Sequence, residues 1–341
     1  MVVLKSKIVR IGRDIDVPLI GHIAFGLIDR GTNLIQVRPT SLCPLSCIFC
    51  STDAGPSSRW RVREYLVDLD LILEWFEYVV KRKEISNLEA HIDTVGDPFT
   101  YPQLVDLVQS LREIPQVNVI SLQTHGFLMN EKTLDDLSDA GLSRINLSID
   151  ALDPHLAPYL AGCAKYDIER IKYLAEYIVR STNIDLLLAP VWVPGLNDHE
   201  IPKIIEYAIH IGAGKHWPPL GIQKYEPHKF GRKPRGVKPM SWTKFFLSLS
   251  KLEKKYGVKL ILSPEDFGIF KCKILTIPFR EGEKVRVKIV DKGWLKHEWI
   301  GVARNRVITV VGVPHETPPV GLEMLVRIIK TKHNIIIARP L

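Results

Sequence analysis

The sequence predicts an α/β fold: a parallel sheet covered by crossover helices, followed by a small β-barrel. Three observations carry that expectation. Between about residues 35 and 265, short β-branched runs alternate with apolar stripes at helical spacing, the pattern of parallel strands joined by right-handed crossovers. Near Phe279 the helical stripes stop, and five short strand-like runs follow within about 60 residues. The 341 residues suffice for one large domain and a small appended one.

Taken in order, residues 1–34 carry short apolar stretches broken by Gly21, Gly26 and Gly31, and read as a β-rich lead-in. The core domain, 35–268, opens on a strand at 35–37. Leu69, Ile72, Leu73, Phe76, Val79 and Val80 form the stripe of an amphipathic helix over 67–83. Strands at 89–93, 117–123, 143–150, 184–191 and 220–225 then alternate with helices at 102–111, 130–140, 167–180 and 200–211. Asn130 is a suitable N-cap, Ser241 caps a further helix to Lys255, and a strand at 259–262 closes the series. Ligands of such sheets bind beyond the carboxyl ends of the strands, so the site is expected there.

In the last segment, 269–341, strict alternation in Val285-Arg286-Val287-Lys288-Ile289 is followed by runs at 299–303, 307–311, 324–329 and 334–338. Five strands in so short a span read as a closed barrel of the OB type, a fold that often binds oligonucleotides. The chain carries 46 Lys and Arg against 38 Asp and Glu, a net charge of +8. Residues 281–341 hold 11 basic against 6 acidic residues, so the surplus is concentrated there, as an anionic partner would require.

Chemistry enters at Arg38-Pro39-Thr40-Ser41-Leu42-Cys43-Pro44-Leu45-Ser46-Cys47-Ile48-Phe49-Cys50. Three thiolates spaced C-x3-C-x2-C can each bind one iron of a four-iron cluster, leaving the fourth iron without a protein ligand. Structural zinc wants four closed ligands, and a second cysteine pair is missing. A disulfide framework fails because the thiols are odd in number and crowded into one loop. Five cysteines, three of them clustered, suit a reducing cytoplasm. Neither a leader-like apolar core nor a run of about 18 apolar residues occurs, so no membrane association is expected.

The spacing, with Phe49 before the last cysteine, resembles the signature of the radical S-adenosylmethionine (radical SAM) enzymes. The resemblance implies a 4Fe-4S cluster on Cys43, Cys47 and Cys50, S-adenosylmethionine chelated at the open iron, and reductive cleavage to a 5'-deoxyadenosyl radical. It also implies that the sheet curls into a partial (β/α)6 barrel of the radical SAM type, and an electron donor such as ferredoxin or flavodoxin. Four strand ends match family motifs in order. Thr94-Val95-Gly96-Asp97-Pro98 is similar to the Gly-Gly-Glu-Pro motif that takes the methionine amine, with Val95 for the first Gly and Asp97 for Glu. Thr124-His125-Gly126 is similar to the Thr-Asn-Gly turn, Ser148-Ile149-Asp150 to the ribose-binding end, and the segment 188–198, with Asn197, to the part beside the nucleoside. Gly96, Asp97, Thr124, Ser148, Asp150 and Asn197 are thereby implied as S-adenosylmethionine contacts.

Tyr225 to Pro239 is a basic, Gly/Pro-rich connection whose Lys229, Arg232, Lys233 and Arg235 sit among aromatics, which suits stacking and phosphate contact with RNA. A solvated charge run is the plain alternative. The last domain resembles the TRAM domain of tRNA-modifying enzymes in Gly282-Glu283-Lys284-Val285-Arg286-Val287, Gly301-Val302-Ala303-Arg304 and 321–330, which implies an RNA substrate, tRNA in particular. Cys163 and Cys272 are the remaining thiols, too few for a second cluster. A small metabolite or peptide substrate, with the barrel a structural module, and an RNA-binding module with a structural cluster are the other readings. Roles for His125, Cys163 and Cys272 are left open.

Overall fold

The structure, a computed structural model, describes residues 6–315 and 317–341. The core strands are β1 (Lys7–Ile11), β2 (Gly26–Asp29), β3 (Leu34–Arg38), β4 (Arg63–Val67), β5 (Leu88–Ile92), β6 (Val117–Thr124), β7 (Arg144–Leu147), β8 (Asp185–Leu188), β9 (Val191–Trp192) and β10 (Gln223–Lys224). Their helices are α1 (Leu69–Lys83), α2 (Leu104–Arg112), α3 (Glu131–Asp139), α4 (Leu156–Ala161), α5 (Ile168–Ser181), α6 (Glu200–Ile211) and α7 (Trp242–Tyr256). The main sheet runs β2-β3-β5-β6-β7-β8, parallel except for β2. A β9-β10 ribbon and a bridge from Leu188 to Leu220 continue its open edge, so the sixth barrel strand is only two residues long.

Helices α1, α2 and α5 lay their apolar stripes on this sheet, and α3 and α7 pack on neighbouring helices. In α1, Ile72, Phe76 and Val79 are fully buried, and each such side chain contributes roughly 1.5–3 kcal/mol. Asn130 accepts the Thr133 amide at 2.9 Å, Asp167 accepts those of Glu169 and Arg170, and Ser241 accepts that of Lys244, so three caps satisfy free amides at helix starts.

Several expectations are corrected. Of the expected lead-in over 1–34, residues 1–5 lie outside the described residues and the rest is not separate: β2 is the first strand of the main sheet, and β1 pairs in parallel with β4 beyond the cysteine loop. No strand forms at 259–262, because the Glu253 carboxylate takes the Leu260 and Ile261 amides (2.7 and 2.8 Å) that a neighbouring strand would have taken. Short α4 was not expected, yet its carbonyls of Leu160 and Ala161 accept from Ile48 and Ser46 at 3.0 Å and so anchor the cysteine loop.

Beyond the core lie β11 (Lys284–Lys292), β12 (Glu298–Ala303), β13 (Arg306–Val311), β14 (Glu323–Lys330) and β15 (Ile337–Pro340), a closed barrel in the order β11-β12-β13-β15-β14. Val287, Ile289, Ile308, Val310, Val326 and Ile328 fill it. It seats β13 on the core: Val307 N donates to Ile20 O at 2.8 Å, and Ile300 and Val307 join the core's own apolar cluster.

Candidate active site

Because β3, β5, β6, β7 and β8 run the same way, their carboxyl ends open together into one cavity of about 670 Å³. Cys43, Cys47 and Cys50 line one wall, Thr94 to Gly96, Gln123, His125 and Ser148 a second, and Arg30, Gln36, Arg38, His91 and Asp93 a third. Lys224, Tyr225, Glu226 and His228 complete its rim.

The three thiols lie close enough to repel one another as thiolates. Burial pushes Cys43 and Cys47 well up, with Asp97 adding to the first and Cys50 to the second. Burial also raises Cys50, but the Thr52 hydroxyl at 3.4 Å and the Ala54 amide at 3.3 Å outweigh it and bring that thiol below its ordinary value. His125 Nε2 lies 3.8 Å from Cys47 Sγ. Among the described residues no three His, Cys, Asp or Glu side chains close on a single-ion point. A four-iron cluster asks for something else, one thiolate at each of three corners, and iron coordination removes the thiol proton outright.

What holds the loop is a set of buried side chains. Arg61, missed by sequence reasoning, has a fully buried guanidinium that donates to Ser41 O (2.8 Å), Thr52 O (2.9 Å) and Val95 O, and pairs with Glu64 at 3.2 Å. It therefore ties both ends of the cysteine loop to the segment around Gly96. Trp294 of the small barrel lies 4.6 Å from that guanidinium, so the appended domain abuts this suture. Gly96 is required at its position, since a Cβ there would meet Leu42 O at 2.0 Å. No sequence signal distinguishes Arg61 from the neighbouring Arg59 and Arg63; only burial does.

Of the expected cofactor contacts, Gly96 and Ser148 line the cavity. The other four stand behind its wall. Asp97 accepts from Thr124 Oγ1 (2.9 Å), His125 N (3.1 Å) and Phe99 N (3.0 Å), clamping two strand ends together. Asn197, fully buried, accepts from Val193 N (2.7 Å) and donates to Asp150 O (2.8 Å) and Val191 O (2.9 Å). Asp150 accepts from Val191 N at 2.8 Å and stands 3.9 Å from His125 Nδ1; burial raises its carboxyl.

In the basic connection, Lys229, Lys233 and Arg235 are exposed. Arg232 corrects the expectation of an RNA contact: it pairs with buried Asp53 at 3.0 Å and donates to Cys47 O (2.9 Å) and Ala54 O, while its own amide donates to Cys50 O at 2.8 Å. Its charge is spent on the cysteine loop. Cys163 and Cys272 do not line the cavity.

A parallel barrel opening onto three clustered thiols defines an iron–sulfur protein of the α/β class. Profile comparison matches residues 37–208 to the Radical SAM superfamily, and the chain belongs to that superfamily of enzymes, which use a 4Fe-4S cluster and S-adenosylmethionine. An uncharacterised protein of Methanocaldococcus jannaschii is 44% identical over 98% of this chain and 82% of its own. GTP 3',8-cyclases of Crocosphaera subtropica and Trichormus variabilis are 28% and 38% identical over 54% and 49% of this chain; it spans about half of their length (52% and 50%). The fold alone is shared with crystal structures of the hydrogenase maturase HydG (TM-score 0.51, 12% identity, 69% of this chain and 53% of that one) and of Streptococcus suis SuiB (0.50, 16%, 67% and 47%). The donor set fits both groups: three sulfurs on one cavity wall, with side-chain-free Gly96 beside them.

Proposed function

We propose that this enzyme modifies a nucleotide within an RNA, tRNA being the first candidate. The observation that carries the reading is a cationic aromatic platform that adjoins, in the chain, the cavity-lining His228. Trp60, 37% exposed, meets Phe230 at 5.2 Å between ring centroids, with Lys229 5.0 Å over Phe230 and Lys296 5.9 Å over Trp60. Three separate segments build it: the stretch after the cysteine loop, the basic connection and the small barrel. Rings that stack bases beside ammonium groups that take phosphates are the common currency of single-strand recognition. His228, two residues from Phe230, already lines the cavity, so a splayed base has a short path inward.

The cluster and S-adenosylmethionine, when bound, supply reductive cleavage of a sulfonium and a radical that abstracts one substrate hydrogen. This chain's residues do the rest. Cys43, Cys47 and Cys50 would ligate the cluster, and Gly96 and Ser148 would offer cavity wall to S-adenosylmethionine; Arg61 and Arg232 hold the loop through its carbonyls. Exposed Lys233 and Arg235, on the same connection as Lys229 and Phe230, add positive charge to that segment. The likeness of the last domain to the TRAM domain supports the same reading.

One observation favours a second reading, a small anionic substrate such as a free nucleotide. Arg30, Arg38 and Lys224 face the cavity against Asp93 and Glu226, a net cationic lining, and the related cyclases are named for a nucleotide. To decide, anaerobically reconstituted protein is given S-adenosylmethionine and reductant, with tRNA from a strain lacking the enzyme or with GTP. Stimulation of 5'-deoxyadenosine formation by tRNA, with one nucleoside altered by mass spectrometry, is the expected result. Stimulation by GTP and none by tRNA would replace the first reading with the second.

A further inference from the structure

The small barrel has two unlike sides. Its β12-β13 side is spent on the core, through Ile300, Val307 and the Val307–Ile20 hydrogen bond. The side built from β11, β14 and β15 faces solvent, and its residues alternate, with Val285, Val287, Val326, Ile328 and Ala338 buried inward and Lys284, Arg286, Lys288, Leu325, Arg327 and Arg339 exposed between and beside them. On that side the register places Lys284 opposite Arg327, and Arg327 opposite Arg339. Directly opposed residues share a face, so three exposed cations stand in one row across three adjacent strands.

Such a row opposes folding. Like charges directly across a ladder destabilise it, and none of the three has a carboxylate partner among the described residues. Of the exposed positions on these strands only Glu323 is acidic, and it stands 3.9 Å from Arg286, not from the row. The next row sets Arg286 opposite exposed Leu325. Glu323, opposite Lys288, serves the far end of this face, and the row of Lys284, Arg327 and Arg339 is left with this cost and no carboxylate partner among the described residues, which suits it to a polyanion that supplies the counter-charge itself.

Resting on the RNA reading above, we infer that the outer β11-β14-β15 face is a second RNA contact, holding the phosphate backbone through Lys284, Arg327 and Arg339, residues that take no part in the aromatic platform. It contributes affinity and orientation and reads no base. The side it occupies follows from packing: the docked β12-β13 side leaves no room for a ligand.

The test uses the full-length protein and unfractionated tRNA, with binding followed by fluorescence anisotropy between about 50 and 200 mM KCl. The K284Q/R327Q/R339Q variant is compared with K244Q/K251Q/K254Q, which removes the same charge from exposed positions on α7. The inference expects the barrel variant to lose at least about tenfold in affinity and to show a salt slope shallower by about two to three, since each phosphate contact accounts for roughly 0.7–0.9. The α7 variant should bind nearly as the parent does. Relief of the row also predicts that single R327Q melts at the same or a higher temperature while binding more weakly, a pairing that damage to the fold would not produce. Equal losses in both triple variants, or none in the barrel variant, overturn the inference and leave the RNA reading standing. A parent protein that fails to bind tRNA at any of these salt concentrations overturns the reading beneath it.

Discussion

Replacing Gly96 by Ala tests the cysteine loop directly. The added Cβ would lie 2.0 Å from Leu42 O and 2.4 Å from Ser41 O, both backbone atoms, where about 3.0 Å is the floor for real contacts. The loop must therefore back away by about an ångström, and Leu42 precedes the first cluster cysteine. Two hydrogen bonds to Leu42 O, from Asp97 N at 2.8 Å and Thr100 Oγ1 at 3.2 Å, would stretch or break. At about 1 kcal/mol each, with about 1–3 kcal/mol for overpacking, the cost is about 3–5 kcal/mol. A protein of this size should survive that and still fold. The assay is iron content and visible absorbance after anaerobic reconstitution, beside a thermal melt. G96A should melt several degrees lower and hold well under half the parent's iron. Parent-like iron content together with a parent-like melt would refute the claim that Gly96 is the backstop of the cysteine loop.

Two more perturbations follow from the same geometry. Arg232→Ala leaves Asp53 buried beside the cysteine loop without its guanidinium, which should cost about 3 kcal/mol and speed cluster loss to a chelator; Arg232→Lys should restore part of the charge but not the paired carbonyl contacts, and a variant that keeps the parent's chelation rate would dismiss the clamp. Burial raises the Glu298 carboxyl from 4.5 to about 7, so the folded protein holds a proton that the unfolded chain releases; stability is then greatest at low pH, falls as pH rises from about 4.5 to 7, and is level above, by about 3 kcal/mol in all. Glu298→Gln should flatten that slope in denaturant melts and raise stability at pH 8, whereas an unchanged pH profile would rule out the assignment.

Local chemistry was legible in the chain: the cysteine spacing, the capping residues Asn130 and Ser241, and the switch from helical to alternating periodicity that marks the small barrel. Each rests on residues within a few positions of one another, so periodicity and spacing suffice. Tertiary structure alone decided the roles of Arg61, Arg232 and Asn197. Arg61 and Arg232 look like any surface cation in sequence, and only their burial against carbonyls of the cysteine loop turns them into sutures. Asn197 sits in a family-like segment, yet all its polar atoms are taken up by Val193, Asp150 and Val191 once the strand ends meet. The cationic row on the small barrel was equally hidden, since Lys284, Arg327 and Arg339 become neighbours only through strand register. Register and burial are long-range properties, set by the packing of the whole chain, and no local window of residues contains them.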